Sequence, residues 1–322
     1  MMADEEPYFQ PAGRINFNLR PSKRIERKMV GEALAAIYRY DSPRRFGYIG
    51  MGSYYFSDFI LFHRLFGLDK MFSIEADPDR PRFEFNKPYK CIEMVWGFTN
   101  EKLPTLKVFD ERPVICWLDY YSRLDSLVLG DIKTFITKAQ VGSALIVTVS
   151  CRPFSKKSPK TDFLKELPED LRDVSDHGEL LLPQRISKYM CDVITAAVET
   201  QLVDRNAGNP NSLSMRQIVN IYYKDDAPMA TFGWLLLDKA RSEKLDADPL
   251  ALDSPGVMVD GKLTEIISPV LTFREISHLK AHLPAGTDTD KFLKMAKPIE
   301  DDAAKRFAEL YRYYPSFADV EE

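Results

Sequence analysis

The chain has 322 residues, 45% of them apolar, and a formal net charge of −4. That size fits one large domain or a domain with an appendage. The charge excludes a global field drawing in nucleic acid or anionic membrane, and no apolar stretch is long enough to span a bilayer.

The first residues, MMADEEPYFQPAGR, are acidic and polar and lack the apolar core of a secretory signal. The four cysteines, Cys91, Cys116, Cys151 and Cys191, form no CxxC pair, and there are only four histidines. A soluble cytoplasmic protein of a reducing compartment, without a zinc site, is expected. Residues 1–45 read as an N-terminal helical segment packing on the core. Its helix, 22–40, has Ser22 placed to cap it and an apolar stripe of Ile25, Met29, Ala33, Ala36 and Ile37. FGYIG (46–50) is the first strand. Ser53 is placed to cap the next helix and Gly67 to end it. KMFSIEAD (70–77) is the second strand, and 78–88 is too broken by proline for a long helix. KCIEMVWG (90–97) and PVICWLD (113–119) are the third and fourth strands. A helix over 122–139 aligns Leu124, Leu127, Val128, Ile132, Phe135, Ile136 and Ala139 on one face. SALIVTVS (143–150) is an almost unbroken apolar run, as in strands covered on both faces.

Residues 152–182 are polar and punctuated and read as an insertion or lid. Ile186, Met190, Val193, Ile194, Ala197 and Val198 mark another helix. The runs 216–224 and 231–238 flank Asp225 to Pro228 as a hairpin. From 241 the chain loses strand character, and 271–284 and 301–314 read as helices of a C-terminal extension, 241–322. That extension is expected to be a homodimer contact, a partner-docking surface or a lid. Five strands alternating with helices, then a hairpin, specify an α/β doubly wound Rossmann-like sheet over 46–240. It is mostly parallel, with an antiparallel C-terminal hairpin.

Ligands of open α/β sheets sit beyond the carboxyl ends of the strands. There stand Gly50, Met51, Gly52 and Ser53, then Glu75 and Asp77, then Thr99 and Asn100, then Asp119, Tyr120 and Tyr121. Glu75 follows Gly50 by 25 residues, near the spacing at which an acid accepts ribose hydroxyls. Each piece alone is weak, and the third glycine of the dinucleotide fingerprint is absent. Their joint order favours an adenosyl ligand. No GK[ST] follows the glycines and no Tyr-x-x-x-Lys pair is present, so a P-loop and a short-chain dehydrogenase are disfavoured. The terminal hairpin favours an S-adenosylmethionine-dependent methyltransferase. Ser150-Cys151-Arg152-Pro153 after the fifth strand offers no carboxylate set, so no metal is expected. His63 is expected to be packed rather than catalytic. Basic residues crowd Arg14 to Lys28 and Arg152 to Lys160, as solvated faces or anion sites.

INFNLRPSKRIERKM (15–29), YIGMGSYYFSDFILFHR (48–64), FSIEAD (72–77), RFEFNKPYKCI (82–92) and WLDYYSRLD (117–125) together resemble a family of bacterial O-methyltransferases. The resemblance implies S-adenosylmethionine as cofactor. Gly50, Met51, Gly52 and Ser53 would then cradle its methionine part, Glu75 its ribose, and Thr99 or Asn100 its adenine. Methyltransferases often carry an acid two residues before the first glycine, where this chain has Tyr48. Asp119 is the expected catalytic group, as base or as orienter of the acceptor, or else a cap for the following helix. Arg20 and Lys23 are candidates for the cofactor carboxylate or an acidic acceptor. The methyl acceptor stays open. So do two other readings: a non-catalytic adenosyl-binding module in a larger assembly, and a nucleic-acid-modifying methyltransferase using the basic 152–160 segment.

Overall fold

The computed structural model describes residues 20–40, 45–155, 159–173, 180, 182–208, 211–248, 263–286 and 288–315. Among them, β1 (Gly47–Gly50), β2 (Met71–Glu75), β3 (Ile92–Trp96), β4 (Val114–Asp119), β5 (Ala144–Ser150), β6 (Ser214–Lys224), β7 (Pro228–Leu237) and β8 (Thr264–Ile266) form one sheet. Its order is β3-β2-β1-β4-β5-β7-β6-β8. The first five strands are parallel, and β7 runs antiparallel to β5 and β6. This is the doubly wound sheet and terminal hairpin that the sequence predicts. The short β8, parallel to β6, is an addition in a stretch read as strandless. Three residues are too few for alternation to register.

The helices are α1 (Pro21–Ile37), α2 (Ser57–Phe66), α3 (Arg80–Asn86), α4 (Thr99–Lys102), α5 (Val108–Glu111), α6 (Ser126–Lys138), α7 (Lys160–Glu166), α8 (Pro183–Asn206) and α9 (Lys239–Asp246). Successive strand side chains face opposite sides. In β4, Cys116 and Leu118 join a core with Ile132 and Phe135 of α6 and Ile194 of α8. Ile115 and Trp117 join the opposite core with Val30 of α1 and Phe59 of α2. The sheet is therefore covered on both sides, and the crevice at its strand ends lies between α1/α2 and α6. The C-terminal helices Phe273–Lys280, Thr289–Ala296 and Asp301–Leu310 share a small core of their own. They are tied to α1, where Lys28 Nζ donates to Tyr313 O at 3.1 Å and Arg312 pairs with Glu32 at 3.0 Å. Among the described residues no helix is long and apolar enough to cross a membrane.

Three helix starts differ from the sequence expectation. Ser22 does not cap α1; Asp225, in the β6–β7 turn, does so from outside. Its Oδ1 accepts from Ser22 N at 2.9 Å and its Oδ2 from Lys23 N at 3.0 Å. A carboxylate there satisfies two orphan donors and complements the helix dipole. Asp225→Ala is expected to cost about 1–2 kcal/mol, seen as a lower urea midpoint at unchanged slope; an unchanged midpoint would refute the cap. The second difference is α6, which begins at Ser126 because Asp125 Oδ1 accepts from Val128 N at 2.9 Å. Asp119 is therefore not its cap. The third is α2, which begins only at Ser57, so Ser53 does not cap it, while Gly67 ends it in the left-handed conformation as expected.

Candidate functional site

A pocket of about 460 Å³ opens at the carboxyl ends of the parallel strands. Met51, Gly52 and Ser53 follow β1 into its lining. Glu75 and Asp77 come from β2, Thr99 and Asn100 from beyond β3, Asp119, Tyr120 and Tyr121 from β4, and Arg20 from the start of α1. Two of the residues singled out in the sequence do not line it. Gly50 is buried inside β1, where a Cβ would stand 2.8 Å from the Tyr48 ring. Lys23 is buried behind Asp119.

The turn after β1 is bonded to the end of β2. Gly52 N donates to Ser73 Oγ at 3.0 Å, and Ser53 N to Glu75 Oε1 at 2.9 Å. Ser53 and Phe56 hold φ of 48° and 46°, a left-handed conformation that costs a non-glycine residue strain. Phe56 is fully buried, and its ring leaves no room beside Gly52, where a Cβ would stand 2.5 Å from Phe56 Cδ1. Gly52→Ala is expected to cost about 1–3 kcal/mol through overpacking. A thermal midpoint equal to wild type would show that the turn yields freely.

Glu75 Oε1 also accepts from Ser73 Oγ at 3.2 Å. Burial nonetheless pushes the Glu75 carboxyl up to about 7, with the Ser53 and Ser73 bonds opposing. Both bonds fall on Oε1, which leaves Oε2 for the pocket.

On the α1/α2 side the lining is ionic. Lys23 Nζ pairs with Asp119 Oδ2 at 2.9 Å and with Glu26 Oε1 at 3.5 Å, and it lies 5.0 Å from the Trp117 ring centroid. The Asp119 side chain is 22% exposed and that of Lys23 2%. The expected role of Lys23 as a direct ligand is thus corrected to support of Asp119. Thr231 Oγ1 donates to Glu26 at 2.6 Å. Arg27, one of the basic residues crowded before and within α1, and Asp58, not singled out in the sequence, also line the pocket. Tyr48 donates its hydroxyl to Asp58 Oδ2, so an acid from α2 stands beside the tyrosine that replaces the motif's usual acid. Burial pushes the carboxyls of Glu26 and Asp58 up, opposed by Lys23 at the first and Arg27 at the second.

On the α6 side the lining mixes apolar and polar groups, with the buried carboxylates Asp125 and Asp131 among them. Phe98 and Leu127 stand exposed in it, beside buried Val128. Tyr120 donates its hydroxyl to Asp131 Oδ2 at 2.6 Å. Asp77 Oδ1 accepts from Asp79 N at 2.9 Å. The other oxygens, Asp77 Oδ2 and Asp131 Oδ1, are buried and have no hydrogen-bond partner among the described residues.

His63 is packed, with Nδ1 2.8 Å from Leu68 O and its ring centroid 4.0 Å from that of Tyr89. The cysteines are all free thiols. Among the described residues no group of three or more His, Cys, Asp or Glu side chains could hold a metal ion. Within the basic stretch after β5, Arg152 lines the pocket, while Lys156 and Lys157 lie outside the described residues.

Strand order and pocket position together define a Rossmann-like fold of the methyltransferase type. The chain belongs to the family described as "Putative O-methyltransferase", whose model matches residues 15–322. No curated protein matches it. Among solved structures it is similar to Trm1 from Pyrococcus horikoshii in complex with S-adenosyl-L-methionine, at 14% identity and a TM-score of 0.42. That match covers 70% of this chain and spans 58% of the Trm1 chain. It is also similar to the O-methyltransferase TomG from Streptomyces achromogenes, at 13% identity and a TM-score of 0.35, covering 64% of this chain and 79% of that one. At these scores the two likenesses add nothing to the family assignment.

Proposed function

We propose that the protein is an S-adenosylmethionine-dependent O-methyltransferase whose cofactor occupies this pocket. Glu75 carries the reading: a strand-end carboxylate steadied on one oxygen by Ser53 and Ser73 and open to the pocket on the other. The rest of the lining suits the ligand. Its volume lies in the range of small-molecule sites, roughly 300–1,000 Å³. Asp77 Oδ2 has no hydrogen-bond partner among the described residues, and the ligand carries N–H and O–H donors. Arg20 and Arg27 would hold its carboxylate, and Gly52 keeps the turn clear of side-chain bulk.

S-Adenosylmethionine, when bound, supplies a methyl group on a positively charged sulfur. The chain's part is alignment and proton transfer. Asp119 is reached from the pocket and Lys23 is not. Lys23 fixes Oδ2, so the proton leaving an acceptor hydroxyl goes to the Asp119 carboxylate, held in one orientation.

The test is calorimetric titration of ligand-free protein with S-adenosylmethionine and S-adenosylhomocysteine, with ATP and NAD as controls. Selective binding of the two sulfur ligands is expected, and its absence would overturn the reading. Binding without formation of S-adenosylhomocysteine in the presence of any acceptor would leave an adenosyl-binding module and remove the catalytic role of Asp119.

A further inference from the structure

The pocket runs past Asp119 into a stretch that the cofactor contacts proposed above leave unused. There Ser122, Ser150 and Arg152 line it from the ends of β4 and β5, and Asp226, Ala227 and Met229 from where β6 turns into β7. Strand pairing brings these residues together. Ser150 is the partner of Met229, and its N–H donates to Ser122 O at 2.9 Å, while Cys151 N donates to Pro228 O at 2.9 Å. Asp119 is the partner of Thr148 on β5, so Arg152 stands four residues further along that strand. This is at most about 13 Å of extended chain, a gap that a small molecule spans.

Arg152 is held by its backbone and not by its side chain. Arg123 Nη2 donates to Arg152 O at 2.9 Å and to Pro153 O at 3.0 Å, with its guanidinium 4.8 Å from the Phe154 ring centroid. The guanidinium of Arg152 itself has no hydrogen bond or ion pair among the described residues. Its charge is felt nearby all the same. Burial, and after it the charge of Arg152, push the Arg123 guanidinium down. An anchored arginine with its fork unused, at the edge of a pocket, suits an anionic group of a ligand.

We infer that the methyl acceptor is a hydroxy acid, with its carboxylate on Arg152 and its hydroxyl facing Asp119. This rests on the methyltransferase reading above. The charges at this end of the pocket select a single negative charge: Asp226 lines it too, and repels the second charge of a phosphate ester. A carboxylate is a weak base, so a phenolic hydroxyl, which ionises at about 10, suits Asp119 better than an alcohol. Tyr121 and Met229 offer apolar surface to the ring. In the transfer the hydroxyl oxygen bonds to the methyl carbon, and the C–S bond breaks with its electron pair left on sulfur. The hydroxyl proton passes to Asp119. Arg152 holds the far end of the acceptor and sets specificity without touching the reacting atoms.

The experiment uses protein saturated with S-adenosylhomocysteine, so that the cofactor's own carboxylate is already in place. Calorimetry compares the three hydroxybenzoate isomers with their uncharged hydroxybenzamides. In wild type at least one benzoate is expected to bind at least about tenfold more tightly than its amide. In Arg152→Gln that ratio is expected to fall to near one. The Arg152 side chain is exposed and bonds nothing in the fold, so the variant should melt with wild type; if it does not, Arg152→Ala is read in the same way. No preference for any benzoate in wild type, or the same preference in the variant, would overturn the inference and leave the methyltransferase reading standing. Phenyl phosphate bound more tightly than every benzoate would overturn the choice of a carboxylate. If S-adenosylhomocysteine itself does not bind, the methyltransferase reading fails, and this inference with it.

Discussion

Replacing Lys23 by methionine is expected to destabilise the protein by about 3–5 kcal/mol at pH 8, the usual loss when one partner of a buried ion pair is removed. Methionine keeps most of the volume and suits the aromatic contacts with Trp117 and Tyr223. What it removes is the ammonium between Asp119 and Glu26. Glu26 is then left fully buried, with only Thr231 donating to it among the described residues. Burial already pushes the Glu26 carboxyl up, and Lys23 opposes that shift. Without Lys23 the folded state binds a proton at Glu26 more tightly than the unfolded chain does, so the variant is relatively better off at low pH. The deficit against wild type should shrink from pH 8 to pH 5. Adding Glu26→Gln should recover part of it at pH 8, since the two residues are in contact and their effects do not add. Urea unfolding of the single and double variants at both pH values measures this. A Lys23→Met protein within 1 kcal/mol of wild type at pH 8 would show that the buried pair is dispensable.

This ion cluster also marks the limit of what local pattern reveals. The strand ends were legible because glycines and acids interrupt apolar runs there: Gly50 to Ser53, Glu75, and Asp119 each close a hydrophobic strand. The sheet was legible for the same reason. The burial of Lys23 was not: at the helix start, among other basic residues, it reads as a candidate ligand contact, and nothing local shows that it is enclosed. Its burial is set by Asp119 on β4 and by Asp225, which bonds its backbone N–H across 202 residues. The first half of α1 is buried almost all round, whereas an amphipathic reading grants it one polar face. Asp131 left a signal that was passed over. It is spaced three residues from Val128 and four from Phe135, so it lies on the apolar stripe of its own helix. A charge in such a stripe needs a partner or a ligand. Arg27 was legible only as one member of a basic crowd, and Asp58 gave no comparable signal, since it sits at a helix position where a charged side chain is ordinary.

Glu75 should govern both cofactor affinity and a pH-dependent part of stability, with opposite consequences for two substitutions. Glu75→Ala removes the Oε2 acceptor and the anchor of Ser53. Losing hydrogen bonds to a charged group at about 1.5–3 kcal/mol each predicts a fall in S-adenosylhomocysteine affinity of at least tenfold. In the proposed complex the ribose hydroxyls would donate to the ionised carboxylate, so binding would favour loss of the Glu75 proton. The ligand-free carboxyl is pushed up to about 7, against an ordinary value of 4.5. Affinity should therefore rise as pH increases from 6 to 7 and level off above it. In Glu75→Gln it should be weaker and nearly flat over the same range. Stability has the reverse sign. A raised carboxyl favours the folded state fully only below pH 4.5, and that advantage is lost as pH rises through 7. Ionised Glu75 thus costs the ligand-free protein up to about 3 kcal/mol at pH 8. Glu75→Gln retains an oxygen for Ser53 N–H and carries no charge. It should melt higher than wild type at pH 8 and close to it at pH 4.5. Calorimetric titrations at pH 6, 7 and 8 and melting curves at pH 4.5 and 8 separate the two effects. A Glu75→Ala protein that binds as tightly as wild type would move the ribose away from β2 and take the main support from the proposed site.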